Sequence, residues 1–217
     1  PISSKTQDAL KANKFVSPTE IQAAVIPHAL KGSIACLLHV VYVNAICRHH
    51  NYLHYCDYFI VIGRDILGAA KTGSGKTLAF IVPLIERLFM EKWDVNDGIA
   101  GIVLTPTREL ALQIFEVIRT VGNKHNYSAG VITGGNKDME GEQERVVGMN
   151  IIVSTPGRLL QHMEQTLGFD TSQVLMLILD EADRLLDMGF SAQIDGILGY
   201  LPPSTTRQTL LFSATQT

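Results

Sequence analysis

Two rhythms of apolar and polar positions alternate along this chain. Short stretches at residues 99–105, 129–133, 150–154, 175–179 and 209–212 are nearly continuous in apolar or small residues, and a sixth opens the segment 65–78. Runs this short, with no polar face to turn to water, predict strands buried on both sides, as in a parallel sheet. Between them, residues 77–89, 109–121, 137–147, 158–165 and 190–200 place apolar positions three and four apart, the pattern of helices with one buried face. Two further helices are predicted upstream, over 4–12 and 19–30, because residues 13–18 break the period. Thr19 is placed to cap the second of these, with Glu20 in its first turn. Regular alternation of strand and helix predicts a single α/β domain: a doubly wound, mostly parallel sheet with helices on both faces.

Composition agrees with a folded domain. The chain has 217 residues, 46% apolar and 18% charged, enough for a sizeable core and too apolar for a disordered chain. The net charge is −3, so no broad basic surface advertises nucleic acid. Any such contact must come from backbone amides, helix N-termini and a few Arg or Lys residues. Residues 1–10 show neither an apolar targeting core nor an Arg-rich amphipathic pattern.

Residues 33–62 differ from their surroundings. Cys36, Cys47 and Cys56 all lie there, with His39, His49, His50 and His54, and only Arg48 and Asp57 are charged. The cysteines form no CxxC pair, which argues against a metal site. The most apolar part, 34–47, contains His39 and Asn44 and is too short to cross a bilayer. Joining Lys31-Gly32 directly to Arg64-Asp65 gives a continuous helix–turn–strand connection. The segment therefore reads as an insertion in one domain spanning 1–217, of the kind a translated intron leaves behind.

The chemistry concentrates at strand ends. Segment 65–78 passes from an apolar run through Ala70, Thr72, Gly73, Ser74 and Gly75 to Lys76 and Thr77, just where a helical pattern begins. Backbone N–H groups of such a loop close around phosphate oxygens, with the positive end of the helix dipole behind them. Lys76 is placed to reach the outer phosphates and Thr77 to complete the shell of a Mg2+ ion, although Ala70 stands where the strict pattern has Gly. The run 175–179 ends in Asp180, Glu181 and Asp183. In an open parallel sheet, ligands collect at the carboxyl ends of strands, so these acids face the same crevice as the phosphate loop. Asp180 is placed to hold magnesium, directly or through water, and Glu181 to orient an attacking water.

Three more turns follow strands on that edge: Pro106, Thr107 and Arg108; Gly134 and Gly135; and Thr155, Pro156, Gly157 and Arg158. Small, hydroxyl and guanidinium groups in turns suit phosphodiester oxygens better than base edges, which predicts RNA or DNA backbone contacts without sequence preference. Ser213 and Thr215 after the last strand are small hydroxyls suited to bonding Asp183 and coupling the nucleotide site to a neighbour. Taken alone, Gln22 and Phe15 read as a surface carboxamide and a core ring. Beside a phosphate loop they become a donor–acceptor pair and a stacking face for adenine.

These motifs, in this order, resemble the N-terminal RecA-like domain of the DEAD-box ATP-dependent RNA helicases, over essentially everything except residues 33–62. In that family Ala is common at the position of Ala70. The resemblance implies that Gln22 reads adenine, that Lys76, Thr77, Asp180 and Glu181 serve ATP and Mg2+, and that the turns carrying Arg108 and Arg158 grip the RNA backbone. It also implies a second RecA-like domain that brings arginines to the γ-phosphate, so residues 1–217 by themselves are expected to hydrolyse ATP negligibly. A competing reading is a non-catalytic nucleotide-binding module. More loosely, residues 157–163 and 208–217 resemble the nucleolar subgroup engaged in small-subunit ribosome assembly, which implies pre-ribosomal protein partners and a nucleolar location.

Overall fold

The runs too apolar to face water become the middle of one sheet. A computed structural model describes residues 2–31, 39–40, 56–62, 65–71, 73–135 and 139–214. The strands are β1 (His39–Val40), β2 (Cys56–Ile62), β3 (Asp65–Ala70), β4 (Gly101–Leu104), β5 (Ala129–Ile132), β6 (Ile151–Ser154), β7 (Met176–Leu179) and β8 (Gln208–Ser213). They lie in the order β1-β2-β3-β8-β7-β4-β6-β5. From β3 to β5 every pairing is parallel, whereas β1 and β2 add to the outer edge of β3 as an antiparallel pair.

Eight helices complete the described residues: α1 (Ser4–Ala12), α2 (Glu20–Lys31), α3 (Lys76–Met90), α4 (Arg108–Gly122), α5 (Met139–Val146), α6 (Pro156–Gln165), α7 (Ala182–Asp187) and α8 (Ser191–Tyr200). Successive strand residues point to opposite faces. Val103, Val153, Ile178 and Phe212 therefore join one core with Ile21 and Val25 of α2 and with α3 and α4. Ile102, Ile152 and Leu177 join a second core with Leu159, Leu185, Ile194 and Ile197 of α6 to α8. The doubly wound sheet predicted from the apolar runs is thus present.

Three elements, α7, β1 and β2, differ from the sequence-based expectation. Residues 182–187 form α7, because the acids at its start suit a helix N-terminus as well as a metal. The backbone of residues 56–62, within the segment read as an insertion, is a strand paired along the whole of β3. It lies on the side of β3 away from β8, so the parallel order inward of β3 is uninterrupted.

Candidate functional site

All six parallel strands point their carboxyl ends to one edge, and the strand order divides that edge in two. The phosphate loop follows β3, Ser213 ends β8 and the acids follow β7, and these three strands are neighbours. The turns at Pro106, Gly134 and Thr155 follow β4, β5 and β6, which are neighbours in the other half. Thr72 and Thr215 lie outside the described residues.

The phosphate loop is shaped by two glycines. Gly73 (φ 81°) and Gly75 (φ 93°) are both left-handed, and Gly75 is the N-cap of α3. A Cβ on Gly75 would stand 2.5 Å from Gln22 Nε2, so a side chain there would be both strained and obstructed. Lys76 is buried, and its Nζ donates to the Ser213 carbonyl at 3.3 Å, reaching across to the middle strand of this half. Ser74 is half-buried, with its hydroxyl oxygen inaccessible and unpaired. Thr77 follows Lys76 in the first turn of α3, and Ala70 closes β3 in the core.

Asp180 is 7% exposed and its Oδ1 has no hydrogen-bond partner. Burial raises its carboxyl to about 6, the nearby Lys76 ammonium opposes the rise, and the Glu181 and Asp183 carboxylates reinforce it. An orphaned, buried carboxylate oxygen beside a phosphate loop fits a Mg2+ ligand, which takes one or two carboxylates together with phosphate oxygens and water. Among the described residues no group of three or more His, Cys, Asp or Glu forms a metal cage. Glu181 adopts a left-handed backbone (φ 51°, ψ 51°), strained for a residue with a Cβ. Its Oε2 accepts from Arg184 Nη1 at 2.6 Å. Asp183 sits in the first turn of α7.

Gln22 carries two bonds at once. Thr19 N donates to Gln22 Oε1 at 3.0 Å, and Ala23 N donates to the Thr19 carbonyl at 2.9 Å, which makes Thr19 the cap and Gln22 the third residue of a capping box. Gln22 Nε2 then donates to the Gly75 carbonyl at 3.0 Å, tying α2 to the phosphate loop. Gln22 and Phe15 line a cavity of about 340 Å³ between α1, α2 and α3, with Leu10, Ile26, Leu78 and Val82. Phe15 is 42% exposed, so its ring is a surface rather than a core residue.

On the other half of the edge, Thr107 caps α4 by accepting from Leu110 N at 3.3 Å, behind the buried Pro106. Arg108 is exposed and lies over the Gly134-Gly135 turn, where a Cβ on Gly135 would overlap its guanidinium. Gly135 itself has φ 90°. Thr155 caps α6 with no side-chain bond, Pro156 is its first residue and Gly157 is exposed. Arg158 differs from Arg108: it is 8% exposed and ion-paired with Glu142 of α5, its Nη1 donating to Gln161 at 2.9 Å. His162 Nε2 is 3.6 Å from the same carboxylate, and burial lowers the pKa of this imidazole.

A row of polar contacts crosses the seam between the halves. Asp180 N donates to the Leu104 carbonyl at 2.9 Å, Thr105 N to the Ser154 carbonyl at 3.0 Å, and Ser154 Oγ to the Ile132 carbonyl at 2.7 Å. Three contributors escaped the sequence reading: Arg184, Glu142 and the capping role of Gln22. The Thr-x-x-Gln spacing and the i, i+3 pair Glu181–Arg184 were legible signals for two of them. Glu142 lies sixteen positions before Arg158, and no local pattern links them.

The fold is an α/β domain of the RecA-like kind, with a glycine-rich loop of the phosphate-loop pattern after its first parallel strand. The chain belongs to the DEAD/DEAH box helicase family, whose profile matches residues 55–217. It is 49% identical over its full length to the ATP-dependent RNA helicase DBP4 of Coccidioides immitis and 48% identical to that of Cryptococcus neoformans var. neoformans, covering 23% and 22% of those proteins. It superposes, over its full length, on 49% of the crystal structure of a DEAD box protein from the hyperthermophile Methanococcus jannaschii, with a TM-score of 0.74 and 34% identity. The chain thus spans less than a quarter of the curated relatives it matches.

Proposed function

We propose that this chain is the ATP-binding and RNA-backbone-binding half of an ATP-dependent RNA helicase. The division of one sheet edge into a nucleotide half (β3, β8, β7) and a turn half (β4, β6, β5) carries the proposal. In the nucleotide half, Phe15 and Gln22 recognise adenine, the loop from Ala70 to Thr77 cradles the phosphates, and Lys76 contacts the outer ones. Thr77 and Asp180 hold Mg2+, which when bound neutralises phosphate charge. Glu181 orients the attacking water, its carboxylate steadied by Arg184. In the turn half, the Arg108 guanidinium, the hydroxyls of Thr107 and Thr155 and the amides of Gly134, Gly135 and Gly157, in turns shaped by Pro106 and Pro156, contact successive phosphates. Arg158 serves from within, holding the α6 turn against α5 until a phosphate competes for it. Asp183 with Ser213 and Thr215 couples the site to a second RecA-like domain.

Residues 33–62 are read as an insertion, a reading compatible with the antiparallel pairing of residues 56–62 on the outer edge of β3, which leaves the parallel order untouched. A role in ribosomal RNA processing, with pre-ribosomal proteins and a nucleolar location, rests on the resemblance of residues 157–163 and 208–217 to that subgroup.

Calorimetric titration of the purified chain with Mg-ATP, with and without single-stranded RNA or DNA, tests the proposal. RNA but not DNA should enhance ATP binding, and Lys76→Ala should weaken it about 10- to 100-fold, the worth of a hydrogen bond to a charged group. Turnover by residues 1–217 alone should be negligible, since an arginine supplied from a second domain contributes several orders of magnitude in related enzymes. Unchanged ATP affinity in Lys76→Ala, or equal enhancement by DNA, would sink the proposal.

A further inference from the structure

The ridge of α3 that begins at the phosphate loop ends in a buried acid. Leu78, Val82 and Glu86 follow one another at i, i+4 and i+8, so they share one face of the helix. Leu78 and Val82 line the Phe15–Gln22 cavity. Glu86, one turn beyond Val82, is 3% exposed and faces α1. Its carboxylate takes three donors from the start of that helix: Ser3 N to Oε2 at 2.8 Å, Ser3 Oγ to Oε1 at 2.6 Å, and Thr6 Oγ1 to Oε1. The fully buried Thr6 hydroxyl gives its proton to Glu86, so His125 Nε2, 3.0 Å away, is the donor to Thr6. Burial also lowers the pKa of His125, which keeps the ring neutral in that role.

Nothing in the nucleotide chemistry uses Glu86, and a buried acid is tolerated only when hydrogen-bonded, so Glu86 and the start of the nine-residue α1 depend on each other. The end of α1 shows where that dependence matters. Asn13 N bonds the Ala9 carbonyl at 3.2 Å, Lys14 turns left-handed at φ 63°, and Phe15 N bonds the Leu10 carbonyl at 2.9 Å. The position of the Phe15 ring is therefore set by where α1 sits. Four residues on, Thr19 and Gln22 form the capping box that reaches Gly75.

We infer that Glu86 is a positioning residue for nucleoside selectivity: by clamping Ser3 and Thr6 it fixes α1, and through α1 the Phe15–Gln22 pair. The inference rests on that pair serving adenine. It predicts that loosening the clamp removes the preference for adenine and leaves phosphate binding untouched.

The test is calorimetry of the 217-residue chain with Mg-ATP, Mg-GTP and Mg-pyrophosphate. Glu86→Ala should lower ATP affinity roughly tenfold, as expected for loss of charged hydrogen bonds that organise a site, with GTP and pyrophosphate affinities unchanged. Ser3→Ala with Thr6→Val, which leaves α3 intact, should do the same, so the result survives if Glu86→Ala folds poorly. In a Gln22→Ala background Glu86→Ala should add nothing. An equal loss for all three ligands, or unchanged ATP affinity in the Ser3→Ala, Thr6→Val variant, overturns the inference. If Gln22→Ala itself keeps the ATP over GTP preference, the adenine role fails; if it erases the preference while neither clamp variant alters it, only the clamp fails.

Discussion

Arg158 and Glu142 hold each other inside the protein, with Arg158 Nε donating to Glu142 Oε2 at 2.9 Å and both residues under a tenth exposed. The pair bridges α6 to α5, and breaking one side leaves the other charge buried and uncompensated. Glu142→Ala should therefore destabilise the domain by about 3–5 kcal/mol, read from urea denaturation. Arg108→Ala removes an exposed guanidinium and should stay within about 0.5 kcal/mol of the parent. Of the two arginines that sequence motifs place in turns, Arg108 is the one whose removal should leave stability nearly unchanged.

That contrast predicts what RNA binding should show. Arg108→Ala should weaken RNA affinity without altering ATP affinity, and the slope of log affinity against log salt should fall by just under about one for the lost phosphate contact. Gly135→Ala should mimic it, because a Cβ there displaces the Arg108 guanidinium and the left-handed backbone disfavours any side chain. A fluorescence anisotropy titration at several salt concentrations reads both. An unchanged slope in Arg108→Ala would remove this residue from the RNA contacts.

Asp180 predicts a trade of function against stability. Its carboxyl is raised to about 6 by burial, from an ordinary 3.8. The folded state thus binds a proton more tightly than the unfolded chain, and the associated stability is present at low pH and lost as pH rises between those values. Without magnesium, Asp180→Asn should flatten this decline and stabilise the domain at pH 7, by up to about 3 kcal/mol. The same variant should lose magnesium-dependent ATP binding. Thermal melts in chelator and calorimetry in Mg2+ separate the two effects.

The buried imidazoles titrate the other way. Burial lowers the pKa of both His125 and His162 from 6.5, so the unfolded chain takes up protons first as pH falls. Their stability contribution is present above pH 6.5 and is lost as pH drops toward their depressed values. In Asp180→Asn, where the opposing carboxyl is gone, melting temperature should accordingly fall between pH 7 and 5, and adding His162→Gln should reduce the slope. A slope unaffected by the substitution would show that His162 is not held neutral.

Much of this architecture is legible in the amino-acid sequence. The continuous apolar runs at 99–105, 150–154 and 175–179 have one physical solution, a parallel sheet covered on both faces, and β4, β6 and β7 occupy it. The phosphate loop and the acids at 180–183 were legible because backbone geometry and charge at a strand end leave few alternatives. What stayed hidden was pairing at a distance. Sequence spacing placed Arg158 among the RNA-gripping residues but not its buried partner Glu142, and it gave Glu86 no more weight than any acid in a helix. Such pairings depend on how α5 meets α6 and α1 meets α3, which no local periodicity encodes. The strand at 56–62 was hidden for another reason: it lies in a segment whose composition departs from the rest of the domain.

The row of contacts from Asp180 through Leu104, Thr105 and Ser154 to Ile132 has a mechanical meaning. The Asp180 amide hangs on a carbonyl two residues before Pro106, and the last link of the row ends two residues before Gly134. The proposed nucleotide and RNA halves thus share one row of hydrogen bonds along the sheet edge, so a shift of Asp180 on nucleotide binding is expected to be felt first at the Pro106 and Gly134 turns.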